Sequence, residues 1–315
     1  MRPSRGAWSR AVSVGLIGTA AASLAALLAP LGWPFELFVH FRWQVGAAAL
    51  ALLLASLVLR RPWMMVVACV TVALQWLPGA LLAGRASAQE ATAWTCSGEP
   101  LRVVTANAWF RNADHAALVG WLQRSEADLI ALQEITPQWV AALEPLAREY
   151  PYRKFMPRDD PYGIALLSRW PIDDVQPADF AGDGVPALVA NVDVHGRKLR
   201  VIALHTRWPV VPELQVARDR ALQQAAALAL KQPDSTILLG DLNLTPYAPA
   251  FARLVSESGL RDALASEAWR PTWQAGFWPL ALPIDHVLVP PGSCIVAYDI
   301  GPDLGSDHRP LQVTL

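Results

Sequence analysis

Six short apolar runs in this 315-residue chain are each bounded by a carboxylate, an amide or an imidazole. "VVTAN" ends at Asn107, "LIALQE" at Glu134 and "VIALH" at His205. "ILLGDLN" ends at Asp241 and Asn243, "PIDH" starts a run with Asp285, and "GSDHRPL" offers Asp307 and His308. Turn chemistry accounts for one such ending, since Gly, Asp and Asn are turn formers. Six in one region point to strands that deliver polar groups to one end of a sheet. The residue types then define a chemistry. Asp, Glu and Asn are hard oxygen donors that suit Mg2+ or Mn2+. The chain has no cysteine cluster and no His-x-x-x-His pair to argue for zinc. It also lacks the G-x-S-x-G turn of serine esterases and a Gly-rich phosphate loop with Lys-Ser/Thr. Two histidines among carboxylates suit acid/base work on a phosphate ester. One can take a proton from water while the other bonds a non-bridging oxygen.

The elements that must position these groups alternate between strand and helix patterns. "LRVVTANAW", "DLIALQEI", "GIALLSRWPI", "PALVANVDV", "KLRVIALHT" and "STILLGDLN" read as strands. "IDHVLV", "CIVAYDI" and "HRPLQVTL" close the chain with three more. "NADHAALVGWLQRSEA", "PQWVAALEPLAREY", "VPELQVARDRALQQAAALALKQ" and "YAPAFARLVSESG" read as helices. Too many strands adjoin for a purely parallel sheet. A mixed α/β fold with two layers of sheet between helices, a four-layer α/β/β/α sandwich, fits this order best.

The front of the chain differs. Residues 11 to 84 carry only four charges, Glu36, Arg42, Arg60 and Arg61. Three apolar runs, 11–31, 43–60 and 63–83, are predicted to form an all-α transmembrane region within 1–90. Arg2, Arg5 and Arg10 precede the first run, and Arg60 and Arg61 separate the second from the third. By the positive-inside rule these face the cytoplasm, so everything after about residue 85 lies outside. For a bacterial chain this is a multi-pass inner-membrane protein with 99–315 on the periplasmic side. Cys69 falls in the third run; an oxidising compartment permits, without requiring, a bridge between Cys96 and Cys294.

"TANAW", "LIALQE", "GIALLSRWPI", "ALHT", "ILLGDLNLTP", "PIDHVLV" and "GSDHRPLQVTL" follow one another in an order and spacing that resembles the endonuclease/exonuclease/phosphatase superfamily. The resemblance spans about residues 100 to 315. It implies the four-layer sandwich and metal-dependent hydrolysis of phosphate esters with Mg2+, or Mn2+. It implies Glu134 as principal metal carboxylate, with Asn107 and Asp307 beside it. His308 would be the general base, oriented by Asp285. His205 and Asn243 would contact phosphate oxygens, and Asp241 would position the nucleophile or protonate the leaving group. Some branches carry an Asp two residues after the first-strand Asn; Trp109 stands there instead.

The substrate is less legible. From Glu99 onward the chain has 19 basic against 25 acidic side chains, a net of −6. A chain built to grip long nucleic acid usually carries a basic face. The stretch from Trp269 to Pro283 holds three Trp and one Phe around a single charge, Arg270. Trp273 within it, with Trp208, could line an apolar lip for a lipid tail or a base; a loop buried against the sheet is the plainer expectation. Three functions stay open: a membrane-anchored phosphoesterase acting on diesters or monoesters, lipid-linked ones included; a periplasmic nuclease acting on DNA or RNA; and a non-catalytic binding domain that keeps the fold.

Overall fold

Apolar residues at every second position build the interior, and the sheets follow from that period. The computed structural model describes residues 5–92 and 99–315. Its N-terminal helices are α1 (Arg5–Leu27), α2 (Leu37–His40), α3 (Arg42–Leu59) and α4 (Pro62–Thr92). There follow β1 (Arg102–Asn107), α5 (His115–Ser125), β2 (Leu129–Gln133), α6 (Pro137–Ala142), β3 (Tyr152–Met156), β4 (Ile164–Ser168), β5 (Ile172–Ala178) and β6 (Ala187–Val194). The chain ends with β7 (Arg197–His205), α7 (Pro212–Ala229), β8 (Thr236–Asp241), α8 (Pro249–Ser258), β9 (Arg261–Asp262), β10 (Asp285–Val289), β11 (Ala297–Ile300) and β12 (Leu311–Thr314).

The strands form two six-stranded mixed sheets, ordered β11-β12-β1-β2-β4-β3 and β5-β6-β7-β8-β10-β9. Each contains one parallel pair, β1–β2 and β7–β8, and each pair is joined by a helix, α5 or α7. Strand parity sorts the side chains into three cores. Val103, Leu129, Ala131, Ile164, Val201, Ala203, Ile237, Leu239 and Val287 meet between the sheets. Val104, Ile130, Leu132 and Leu167 face outward onto Leu118, Leu122 and Trp139. Ile202, Leu204, Leu238 and Leu288 face Leu222, Ala225, Phe251 and Leu254. The result is the expected α/β/β/α sandwich. Each fully buried Val, Leu or Ile contributes about 1.5–3 kcal/mol relative to exposure. That surplus lets the same rows end in buried polar groups.

Helices α1, α3 and α4 contain three segments long and apolar enough to cross a membrane, Gly6–Leu27, Arg42–Leu59 and Pro62–Leu81. Their outward apolar side chains, such as Val14, Ile17, Val58 and Val66, are exposed, a surface that water does not favour and lipid would cover. The first helix stops at Leu27 rather than at 31. Pro30 lies in a short 3-10 turn, Ala29–Leu31, because its ring removes a helical donor and clashes with the preceding turn. Helix α4 runs to Thr92, beyond the expected end of the third run at 83.

Other expectations are corrected locally. "PQWVAALEPLAREY" is not one helix: α6 ends at Ala142, and Pro145 falls in a separate 3-10 turn, Glu144–Leu146. "GIALLSRWPI" is not one strand, because Ser168 Oγ accepts from Trp170 N–H at 2.9 Å and turns the chain before β5. The β3 strand lies in "YRKFM", which carries no clean alternation. Cys69 is free and Cys294 is disulfide-bonded. Cys96, the partner that the sequence permits, lies outside the described residues.

Two glycines mark close approaches beside the strand ends. A Cβ on Gly240, where φ is +147°, would lie 1.7 Å from the Leu204 carbonyl oxygen of the neighbouring strand. A Cβ on Gly163 would lie 1.9 Å from the Ile135 carbonyl oxygen. The Gly of "GDLN" is thus required by packing, not only by a turn. Gly240→Ala is expected to destabilise the fold by about 3 kcal/mol or more, since β7 or β8 must shift. Thermal unfolding in detergent, followed by circular dichroism, reads the loss; an unchanged Tm would contradict the clash.

Candidate active site

Site residues prolong the inner rows of the two sheets by one step. In β7 the row Val201, Ala203 ends at His205; in β8 the row Ile237, Leu239 ends at Asp241; in β10 the row Val289, Val287 ends at Asp285. Strand pairing sets His205 beside Asp241 and Asp241 beside Asp285. The other sheet supplies Asn107 at the end of β1, Glu134 just past β2, and Asp307 and His308 before β12. By parity Glu134 would point outward with Ile130 and Leu132. Its left-handed backbone, φ +62°, breaks the strand and redirects it. Trp109, Asn243 and Gln274 are also left-handed, at +58°, +48° and +48°. Such strain costs about 1–3 kcal/mol per residue and persists where surrounding contacts hold it.

Asp241 is the meeting point. Its Oδ1 accepts from Asn243 N–H at 2.9 Å, and its Oδ2 accepts from Asn107 Nδ2 at 3.1 Å. The Nε2 atoms of His205 and His308 lie 3.5 and 3.6 Å from the same Oδ2. Asn107 Nδ2 also donates to Glu134 Oε1 at 2.9 Å, and Phe110 N–H donates to Glu134 Oε2 at 3.0 Å. His308 Nδ1 and Asp285 Oδ2 are 2.8 Å apart. Ser306 Oγ donates to the Asn107 carbonyl at 2.8 Å and accepts from His308 N–H at 3.0 Å, tying the last motif to the first. Trp273 Nε1 donates to Asp307 Oδ2 at 3.1 Å. Asn243 Nδ2 donates to the Thr206 carbonyl at 2.9 Å, which leaves one amide hydrogen for another acceptor.

Burial dominates the electrostatics. It raises Glu134, opposed by the Phe110 and Asn107 hydrogen bonds and by His308, with Asp307 adding to the rise. It pushes Asp241 up to about 7; His308 pulls that carboxyl down and Asp285 pushes it up. Burial drives His205 down to about 3, helped by the charge of His308, so this imidazole is neutral at pH 7. For His308 burial also opposes the cation, but Asp285 and Asp241 outweigh it and hold the ring up at about 10.

The structure gathers His205, Asp241, Asn243, Asp285, His308, Asn107 and Glu134 at one end of the sandwich, with Asp307 adjoining. The donor atoms of Asp241, Asp285 and His308 lie within 4.8 Å of one another, close enough to hold a metal ion. Among the described residues, Glu134 and Asp307 belong to no such trio; the Asn107 amide stands between Glu134 and Asp241. Buried Oδ1 atoms of Asp285 and Asp307 have no hydrogen-bond partner. Trp273 braces Asp307, and its main chain pairs with Leu282 and His308, so it is a strut within the site rather than a free rim. Sequence inspection missed Ser306 and Tyr162. Ser306 sits inside "GSDHRP" and could have been found there. The Tyr162 ring, 5.3 Å from His205 and capped by Arg207 at 4.3 Å, has no local signal. His286 points away, its Nε2 meeting the Leu244 carbonyl at 2.9 Å.

An acidic cluster with two buried imidazoles thus lies at the strand ends of an α/β/β/α sandwich. The model of the Endonuclease/Exonuclease/phosphatase family matches residues 104–308, and the chain belongs to that family. Enzymes of this family typically hydrolyse phosphate esters and generally use divalent metals. No curated protein matches the chain. Among solved structures, a humanized TDP2 from D. rerio with 14 mutations is 20% identical over 68% of this chain and 98% of its own, with a TM-score of 0.55. An endonuclease/exonuclease/phosphatase from Beutenbergia cavernae is 21% identical over 69% and 71%, also at 0.55. Sphingomyelinase C from Streptomyces griseocarneus is 18% identical over 69% and 99%, at 0.52. At these identities the likeness speaks for the fold.

The His308–Asp285 pair has a defined pH signature. The His308 pKa is raised from 6.5 to about 10, so its contribution to stability is complete below pH about 6.5 and is lost as pH rises through about 10. Asp285→Asn removes the largest part of that contribution. The Tm gap between wild type and variant is expected to be widest below pH 6.5 and to close above pH 10. A gap independent of pH would exclude the ion pair.

Proposed function

We propose that the chain is a membrane-anchored, divalent-metal-dependent phosphoesterase acting outside the cytoplasm on lipid-linked phosphate esters. Residues 1–90 form its anchor and 99–315 its catalytic domain, on the periplasmic side of a bacterial inner membrane. One observation carries the chemistry: amide and imidazole groups from the end of β1, from β7 and from the turn before β12 converge on Asp241 at the end of β8.

Glu134, Asn107 and Asp307 would hold the metal. The oxygen donors favour Mg2+, with Mn2+ as second choice, and the unpartnered Asp307 Oδ1 and raised Glu134 suit a cation between them. Bound there, the ion would neutralise phosphoryl oxygens and lower the proton affinity of nearby groups. Asp285 fixes the orientation of His308, whose Nε2 would take a proton from water once a bound cation had lowered the ring's proton affinity from about 10. Neutral His205 and the spare amide hydrogen of Asn243 donate to phosphate oxygens. Asp241, poised near neutrality, positions the nucleophile or protonates the leaving group.

The lipid assignment rests on the rim. Trp208, in the segment leaving His205, is 58% exposed; Phe277 and Leu280, in the segment leading to Asp285, are 53% and 44% exposed. Each segment runs into residues that touch the helical anchor. Gln215 bonds Glu36, and Ala281 accepts from Gln44 Nε2 at 2.8 Å. Exposed apolar side chains on segments that join site residues to the apolar helices suit a substrate with its tail in the bilayer. The net charge of −6 from Glu99 onward disfavours long nucleic acid.

The purified full chain in lipid nanodiscs, with Mg2+, is tested on extracted phospholipids, a bis-ester chromogen, a monoester chromogen and plasmid DNA. Phospholipid turnover that EDTA abolishes is expected. Fast plasmid cutting with inert lipids would overturn the lipid assignment in favour of a nuclease. His308→Ala and Glu134→Gln are each expected to lower turnover by about 10²–10⁴ at retained secondary structure. A fully active His308→Ala protein would overturn the assigned base.

A further inference from the structure

The link between α1 and α3, together with the first turn of α3, meets the sandwich at three points, and each is the foot of a loop that carries site residues. His40 Nδ1 is 3.0 Å from Thr245 Oγ1 and accepts from Thr245 N–H at 3.4 Å. Thr245 follows Asn243 by two residues and Asp241 by four. Trp43 Nε1 donates to Tyr247 OH at 2.7 Å and to the Ala268 carbonyl at 3.0 Å, and Tyr247 OH donates to that same carbonyl at 2.6 Å. Gln44 Nε2 donates to the Ala281 carbonyl at 2.8 Å.

Ala268 and Ala281 are the two feet of the 269–280 segment. Within it, Trp273 holds Asp307 through its indole, and the Thr272 carbonyl accepts from Arg309 N–H at 2.8 Å. Leu282 pairs with Trp273 on both sides, at 2.9 and 3.0 Å. Two short routes therefore run from the anchor into the site. One goes from His40 through Thr245 to Asn243 and Asp241; the other goes from Trp43 and Gln44 through the 269–282 loop to Asp307 and His308.

The link itself is firmly held. Glu36 meets the fully buried Arg218 of α7 at 2.8 Å, Val39 joins the core beneath α7 and α8, and the Trp43 ring contacts both Trp76 of α4 and Trp269. A passive tether needs none of these directed, buried bonds. The 269–282 loop has only a 3-10 turn, Trp278–Leu280, as regular structure apart from its Trp273 bridges, so external bonds must supply its order.

We propose that His40, Trp43 and Gln44 are positioning residues of the active site, so that the helical anchor is a working part of the catalytic centre. The proposal rests on the phosphoesterase function above. A displacement of about 1 Å in a catalytic group lowers turnover by as much as 10²-fold, so loosening either route is costly.

The test uses the full chain in lipid nanodiscs with His40→Ala, His40→Asn, Gln44→Ala and, as control, the outward-facing Val58→Ala. On the soluble bis-ester chromogen, His40→Ala and Gln44→Ala are expected to lower kcat about tenfold with KM within twofold, and His40→Asn to restore most of the loss. In metal-free protein, amide exchange is expected to rise over 243–247 in His40→Ala and over 269–282 in Gln44→Ala, but not in β1 or β2. Wild-type kcat and exchange in both variants would overturn the proposal, as would an equal loss in Val58→Ala. An inactive wild type would count against the phosphoesterase function alone, since the exchange measurement reads the positioning without turnover.

Discussion

Asp241 places an ionisable carboxyl where water does not reach, and both sheets are arranged around satisfying it. An uncompensated carboxylate in such a place costs several kcal/mol, so its oxygens must find donors or take up a proton. They find the Asn243 amide on their own chain segment, Asn107 from the opposite sheet, and the imidazoles of His205 and His308 at slightly longer range. These partners come from β7, from the end of β1 and from the turn before β12. The two sheets therefore cannot slide past one another without stranding the carboxyl. The same demand keeps Asp241 near neutrality, which is the property an acid/base group at a phosphate needs.

That convergence is held by backbone as much as by side chains. Gly240 lets β8 approach Leu204 closely, and Gly163 lets the chain pass the Ile135 carbonyl. Glu134 leaves its strand in a left-handed conformation that swings its carboxylate onto Asn107 and Phe110. Trp109, Asn243 and Gln274 share that conformation around the same site. The apolar rows between the sheets stabilise the fold enough to tolerate this local strain. Strained and buried polar groups thus cluster where the hydrophobic rows end, and nowhere does one row carry both roles at the same position.

Three helices long and apolar enough to cross a membrane precede this sandwich; the link between the first two reaches Arg218 and Thr245, and the first turn of α3 reaches Tyr247, Ala268 and Ala281. The contact falls on the side of the sandwich where strands end in polar residues. Partly exposed Trp208, Phe277 and Leu280 lie on segments that lead to the same link. Here the feet of the site's loops are bonded to helices long and apolar enough to cross a membrane and to the link between them.

Much was legible in the sequence because the site extends a local period. The alternation Val201, Ala203, His205 or Ile237, Leu239, Asp241 can be read without coordinates, and it sets the side chain's face as well as its type. The three apolar helices were legible for a similar reason, since length and the absence of charge are local properties. Short strands without alternation, such as Tyr152–Met156, and helices broken by proline were not. Only the tertiary structure decided that Asn107 stands between Glu134 and Asp241, that Trp273 braces Asp307, that Tyr162 lies against His205, and that His40, Trp43 and Gln44 reach the loops of the site. Those facts join residues from about 25 to more than 200 positions apart. A period of two or 3.6 residues fixes which face a group occupies, while its partner across the interior is set by how whole layers pack.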